Sequence, residues 1–149
     1  MNVAAANALF DAAVAKLSPR LLAARGWVIH SATFPLLDIS FTDPVRRALR
    51  LHVTCDDWND MPPSVALLAP DGTPLTALPT LRPVPGGSIF NGSPHPRTQR
   101  PFVCSAGFRE FHDHPSHRGD LWANYKMRDS FTLGSLLDKV WSAWAGVWP

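Results

Sequence analysis

The sequence has no long apolar run. Nowhere do about 18 apolar residues follow one another, so no stretch reads as a membrane span and no membrane partner is expected. Charge of either sign is also sparse. Fourteen Lys and Arg stand against twelve Asp and Glu, a formal net charge of +2. The basic residues are scattered (Arg46, Arg47, Arg50, then Arg97, Arg100, Arg109) and form no stripe, which argues against nucleic acid as a partner. Cysteine is nearly absent, with only Cys55 and Cys104. The apolar stretch Met1 to Leu17 carries no basic lead and holds Asp11 and Lys16, so it reads as a helix and not an export signal. The expectation is a reducing cytoplasm and two free thiols. No internal repeat is visible.

What is present suits one folded domain over 1–149: 46% hydrophobic and 17% charged residues, too apolar for disorder. Fifteen prolines disfavour an all-helical bundle. Leu9, Phe10, Ala13, Val14 and Leu17 fall on one face of an amphipathic helix, which Ser18-Pro19 interrupts. A second short helix over Leu21 to Arg25 should end at Gly26. Four strands are predicted next: Trp27–Phe34, Leu36–Thr42, Arg47–Thr54 after an Asp43-Pro44 turn, and Ser64–Leu68, closed by Asp71-Gly72. In the third, Leu49, Leu51 and Val53 share one face, and Arg50, His52 and Thr54 the other, directed to solvent. Short connections imply an antiparallel meander. The stretch from Pro70 to Pro101 is irregular and rich in proline. A last helix follows from Leu133, Leu136, Leu137, Val140, Trp141, Trp144, Val147 and Trp148, capped by Thr132 or Ser130 and packed on the sheet. The fold class is therefore α+β.

The chemistry gathers near Cys104. Cys104, Glu110, His112, His114 and His117 fall within 14 positions, more nucleophilic, acidic and imidazole groups than composition alone would place together. A thiolate can act as a nucleophile, with an imidazole as general base near neutral pH. The same side chains are also legitimate zinc ligands, although the spacing follows no standard zinc pattern. Cys55, at the end of a strand, reads as a buried structural residue, and His30 and His52 as ordinary strand residues.

The order helix, four-strand meander, proline-rich loop, cysteine, tryptophan and helix resembles the core of ubiquitin-conjugating (E2) enzymes. Trp58 stands where that family has an aromatic before a double proline, here Pro62-Pro63. His95-Pro96-Arg97 stands where it has His-Pro-Asn ahead of the catalytic cysteine, and Trp122 follows Cys104 as a tryptophan does there. The resemblance implies a UBC-like fold. It also implies thioester chemistry on Cys104, an E1-like activating enzyme and a ubiquitin-like protein as partners, and transfer to a protein target. Arg97 departs from the motif's asparagine, the Cys104–Trp122 gap is longer, and a further C-terminal helix is missing. Asn124 or an imidazole could supply the absent oxyanion donor, and Asp113 or a histidine the base.

The segment C-S-A-G-F-R-E-F-H-D-H-P-S-H also resembles a bacterial family described as a predicted metal-binding domain with a Cys-Glu-His-His signature, encoded beside ubiquitin-like, E1-like and deubiquitinase-like proteins. That signature would fall on Cys104, Glu110, His112 and either His114 or His117. The expectation taken forward is a transferase with catalytic residues Cys104, Glu110, His112, His114 and His117, with neither a cofactor nor a bound metal. A metal-binding accessory protein and a non-catalytic E2-like binding module remain the alternatives.

Overall fold

The computed structural model describes residues 2–42 and 47–147. The expected Asp43-Pro44 turn, Arg46 and Trp148 lie outside them. Helix α1 (Val3–Ala15) starts at Asn2, whose side chain accepts from the Ala4 N–H at 2.8 Å. Phe10 and Leu17 are buried and Ala13 and Val14 half-buried, but Leu9 is exposed. One position on a helix is a turn of about 100°, enough to swing Leu9 off the face that Phe10 buries.

Helix α2 (Pro19–Arg25) has Pro19 in its first turn, where a missing N–H costs nothing, and the Ser18 side chain as its cap. Gly26 ends it at φ +63°; a Cβ there would lie 2.4 Å from the Thr42 carbonyl oxygen, so only glycine lets the chain turn this tightly into the sheet.

Strands β1 (Trp27–Thr33), β2 (Leu36–Phe41), β3 (Leu49–Thr54) and β4 (Ser64–Leu68) form an antiparallel sheet in that order. The register sets Ile39 opposite Leu51 and Leu51 opposite Leu67, and likewise Leu37, Val53 and Val65. Because side chains alternate, these rows all face one core. The opposite face is more enclosed than the alternation suggests. Arg50 clasps Asp38 with two hydrogen bonds (2.8 and 2.7 Å), His52 lies 3.3 Å from the same carboxylate, and His30 Nε2 is 2.7 Å from Ser40 Oγ. Charge pairing thus buries Asp38 and Ser40 on a side that hydropathy alone assigns to water.

Helix α4 (Leu133–Gly146), capped by Thr132, packs Leu133, Leu136, Leu137, Val140 and Trp144 into the same core. Trp141 meets Trp27 of β1 edge-on at 6.2 Å, and Trp144 donates from Nε1 to the Arg47 carbonyl at 2.9 Å. The observed arrangement is α+β: an N-terminal helix, a four-strand antiparallel sheet and a C-terminal helix on it. Among the described residues no helix is long and apolar enough to cross a membrane.

The proline-rich stretch has more order than its sequence shows. Leu75, Leu78, Leu81, Val84 and Ile89 pack against the core from outside, and β5 (Phe90–Asn91) pairs with β6 (Phe102–Val103). Two-residue strands give no periodicity to read, which is why they escape a sequence pattern.

Candidate active site

Strand β6 delivers the chain to Cys104, whose N–H donates to the Ile89 carbonyl at 2.7 Å. The loop then bends back. Phe108 N–H donates to the Ser105 carbonyl (3.3 Å), and Gly107 takes φ +103°. A Cβ at Gly107 would sit 2.4 Å from Leu136 Cδ2 and 3.0 Å from a Phe131 ring carbon, so the glycine seats the loop directly on α4. Arg109 opens the short helix α3 (Arg109–His112) and ties it to the buried double proline, donating from its N–H to the Pro63 carbonyl (2.9 Å) and from Nε to the Pro62 carbonyl (3.1 Å).

Of the five residues expected to act, one imidazole reaches the thiol. His117 Nε2 lies 3.7 Å from Cys104 Sγ, within hydrogen-bonding range for sulfur. The His117 ring stacks on Phe111, centroids 4.0 Å apart. Its turn, Pro115–His117, is capped by His114, whose Nδ1 accepts from the Ser116 N–H at 3.2 Å while its ring stacks on Phe102. Cys104 is half-buried, and that burial raises its pKa above the ordinary cysteine value. The resting pair is therefore a neutral thiol beside an imidazole.

Glu110 and His112 are engaged elsewhere. Glu110 is buried and turned toward the edge of β4, accepting from the Ser64 hydroxyl and from the Val65 N–H at 3.2 Å, with the Arg97 guanidinium 3.5 Å away. His112 accepts from the Gly107 N–H at Nε2 (3.1 Å), so its proton is on Nδ1, which donates to the Asp120 carbonyl (2.6 Å). Both nitrogens are occupied in holding the loop.

His95 is wholly buried. Its Nδ1 accepts from the Arg97 N–H (3.1 Å), which places the proton on Nε2, donated to the Glu110 carbonyl at 3.0 Å. Asp113 Oδ1 lies 3.0 Å from the same nitrogen without a hydrogen bond of its own, because that single proton is already committed. Asp113 Oδ2 accepts from Arg97 Nε at 2.8 Å. Arg97 thus braces α3 through Asp113 and Glu110. Asn124 is exposed, and its side chain makes no hydrogen bond among the described residues.

Lys139 is the functional candidate that the sequence reading missed. It leaves α4 beneath the cysteine loop and donates from Nζ to the Ala106 carbonyl (3.1 Å) and the Ser105 hydroxyl (3.4 Å), with the Phe131 ring 4.8 Å away. Burial lowers its pKa. The available signal was its place three residues after Leu136, on the flank of the apolar stripe.

Among the described residues no three His, Cys, Asp or Glu side chains gather as a metal-ligand set. Glu110 faces β4 and His112 faces backbone, so the Cys104, Glu110 and His donors do not converge. Cys55 is buried under the sheet, and desolvation pushes its thiol to about 12.

Residues 91–149 match the model of a family described as Y4jH-like, the Y4jH family. Forty-one residues are 44% identical to the "Uncharacterized protein y4jH" of Sinorhizobium fredii, over 28% of this chain and 20% of that protein. The chain thus matches about a fifth of that relative's length. The family-matched stretch contains Cys104, Glu110, His112, His114, His117 and Lys139.

Proposed function

We propose that the chain is an E2-like carrier that accepts the C-terminus of a ubiquitin-like protein as a thioester on Cys104, from an E1-like activating enzyme, and transfers it to a protein target. The observation that carries this reading is the half-exposed Cys104 thiol with His117 Nε2 at 3.7 Å, at the end of a strand that follows the helix and meander. In the charging step the Cys104 S–H proton passes to His117 and the sulfur attacks the activating enzyme's thioester carbonyl. The tetrahedral intermediate collapses as the activating enzyme's thiolate leaves and takes up the proton. In the transfer step His117 accepts a proton from the attacking amine, and the Cys104 thiolate leaves as the amide forms.

Glu110, His95 and Arg97 support this reading from a distance: their bonds to β4 and among themselves hold α3 and, through it, the His-rich turn that presents His117. The test is a non-reducing gel with ATP, an E1-like enzyme and a ubiquitin-like protein. A thiol-sensitive adduct should form on the native chain and persist in Cys55→Ala, but be absent from Cys104→Ala. An adduct that survives Cys104→Ala would sink the proposal. Partner binding that survives Cys104→Ala, with no adduct on the native chain, would point to a non-catalytic module.

A further inference from the structure

Among the described residues, two main-chain N–H groups beside Cys104 have no acceptor. In this loop Cys104 donates to Ile89 (2.7 Å), Gly107 to His112 Nε2 (3.1 Å), Phe108 to Ser105 (3.3 Å) and Arg109 to Pro63 (2.9 Å). Among the described residues, the Ser105 and Ala106 N–H groups donate to no protein acceptor, and both residues are only half-buried.

The planes of the two peptides that follow Ser105 are fixed. In a trans peptide the C=O and N–H point in opposite directions. The Ser105 carbonyl is held by the Phe108 N–H, which turns the Ala106 N–H to the other side of the loop. The next peptide is gripped at both ends: Lys139 Nζ bonds the Ala106 carbonyl at 3.1 Å, and His112 takes the Gly107 N–H. Successive N–H groups in such a turn form a concavity for negative charge. The Lys139 ammonium lies beside it, and Arg97, where the E2-type motif has its asparagine, is already engaged with Asp113 and Glu110.

We propose that the Ser105 and Ala106 N–H groups form the oxyanion site for acyl transfer at Cys104, with Lys139 as the positioning residue that holds their loop. This rests on Cys104 being an acyl acceptor. An oxyanion forms when a thiolate adds to a thioester carbonyl and collapses when the leaving thiolate departs. None forms when a thiolate displaces iodide from a saturated carbon. Lys139 therefore acts on the first reaction and not on the second.

The experiment compares two small probes on the full chain: an N-acetylglycyl thioester and iodoacetamide, with mass mapping to confirm reaction at Cys104. Both rates are read at one pH near neutral, where Lys139 keeps its proton and the thiolate fraction enters both reactions alike and cancels in their ratio. Lys139→Met should slow acyl transfer by on the order of 10- to 100-fold, change alkylation by less than about twofold, and be largely rescued in Lys139→Arg. Substituting lactic acid for Ala106, which replaces its N–H with an ester oxygen, should give the same selective loss if Lys139→Met folds poorly. Equal losses in both reactions, or no loss in either, would overturn the proposal. Neither probe needs an activating enzyme. A chain that shows the selective loss but is never charged enzymatically would overturn the carrier reading and keep this one. A chain that is charged enzymatically but loses both reactions alike would do the reverse.

Discussion

The His117 imidazole lies almost flat on Phe111, 16° from parallel, with its Nε2 3.7 Å from the Cys104 sulfur. A ring stacked this way is fixed about the axis that would otherwise swing it from the thiol. Phe111 belongs to α3, which Arg109 and Glu110 bind to the β3–β4 connection and to β4. The position of this imidazole is thereby set by the sheet.

The thiol should be slow at neutral pH. Burial disfavours the thiolate, so the Cys104 pKa is raised, and reactivity increases with pH until it passes above the ordinary cysteine value of about 8.5. Iodoacetamide rates measured from about pH 6 to about 10.5 should show that late midpoint, with a single modified site. Cys55, held near 12, should react only on unfolding. A midpoint below the ordinary value would contradict the neutral resting thiol, and labelling of Cys55 in the folded chain would contradict its burial.

Gly107→Ala should disturb the loop and the fold together. The backbone sits at φ +103°, and the added methyl would meet Leu136 at 2.4 Å. Strain at such an angle costs about 1–3 kcal/mol even before the clash. The expected outcome is a lower unfolding temperature and altered Cys104 alkylation. An unchanged unfolding temperature would show that α4 yields more readily than its packing implies.

The sheet and the long helices were legible because their residues repeat. Leu49, Leu51 and Val53 alternate, Ser64–Leu68 matches β4, and the Leu133 stripe marks α4. The site was legible only as a list of reactive residue types. Sequence proximity placed Glu110, His112 and His117 within a few positions of one another, yet α3 turns Glu110 to β4, His112 to backbone and His117, beyond its end, to the thiol. Those directions depend on helix phase and on contacts from Ser64 and Asp120, which local spacing does not encode. Lys139 lay hidden because it enters from a helix whose pattern reads as core.

The Asp38–Arg50 pair should make part of the stability acid-sensitive. The Arg50 hydrogen bonds are the largest cause of the lowered Asp38 pKa, outweighing the opposing effect of burial. A carboxylate depressed in the folded state contributes its stability fully above the unfolded value of about 3.9 and loses it as pH falls through the lower folded value. Arg50→Met should destabilise the fold near neutral pH, since it strips two charged hydrogen bonds from the Asp38 carboxylate. Denaturant titrations at neutral pH and below pH ~3 should show the gap between native and variant narrowing in acid. A gap independent of pH would assign the loss to packing of the Arg50 stem.

Alanine substitutions in the His-rich segment should separate into distinct groups. Glu110→Ala removes the acceptor for the Ser64 hydroxyl and the buried Val65 N–H, and His112→Ala releases the loop at Gly107 and Asp120. Each should cost stability, about 1–3 kcal/mol per stranded buried group. His114→Ala loses a turn cap worth about 1 kcal/mol and loosens the seat of His117. His117→Ala breaks the contact with the thiol, the Phe111 stack and a looser ring contact with His114. It should lower transfer by on the order of 10²-fold at little cost to unfolding temperature. A zinc site would give a different result: Cys104→Ala, Glu110→Ala, His112→Ala and one of His114→Ala and His117→Ala would release metal and lower stability together. Elemental analysis with maleimide titration separates the cases. About one zinc per chain, with a thiol that reacts only after chelator is added, would overturn the open-nucleophile reading. A thiol that reacts without chelator, and a rate loss that is largest in His117→Ala and comes at little cost in stability, would fit the geometry of a single imidazole facing Cys104.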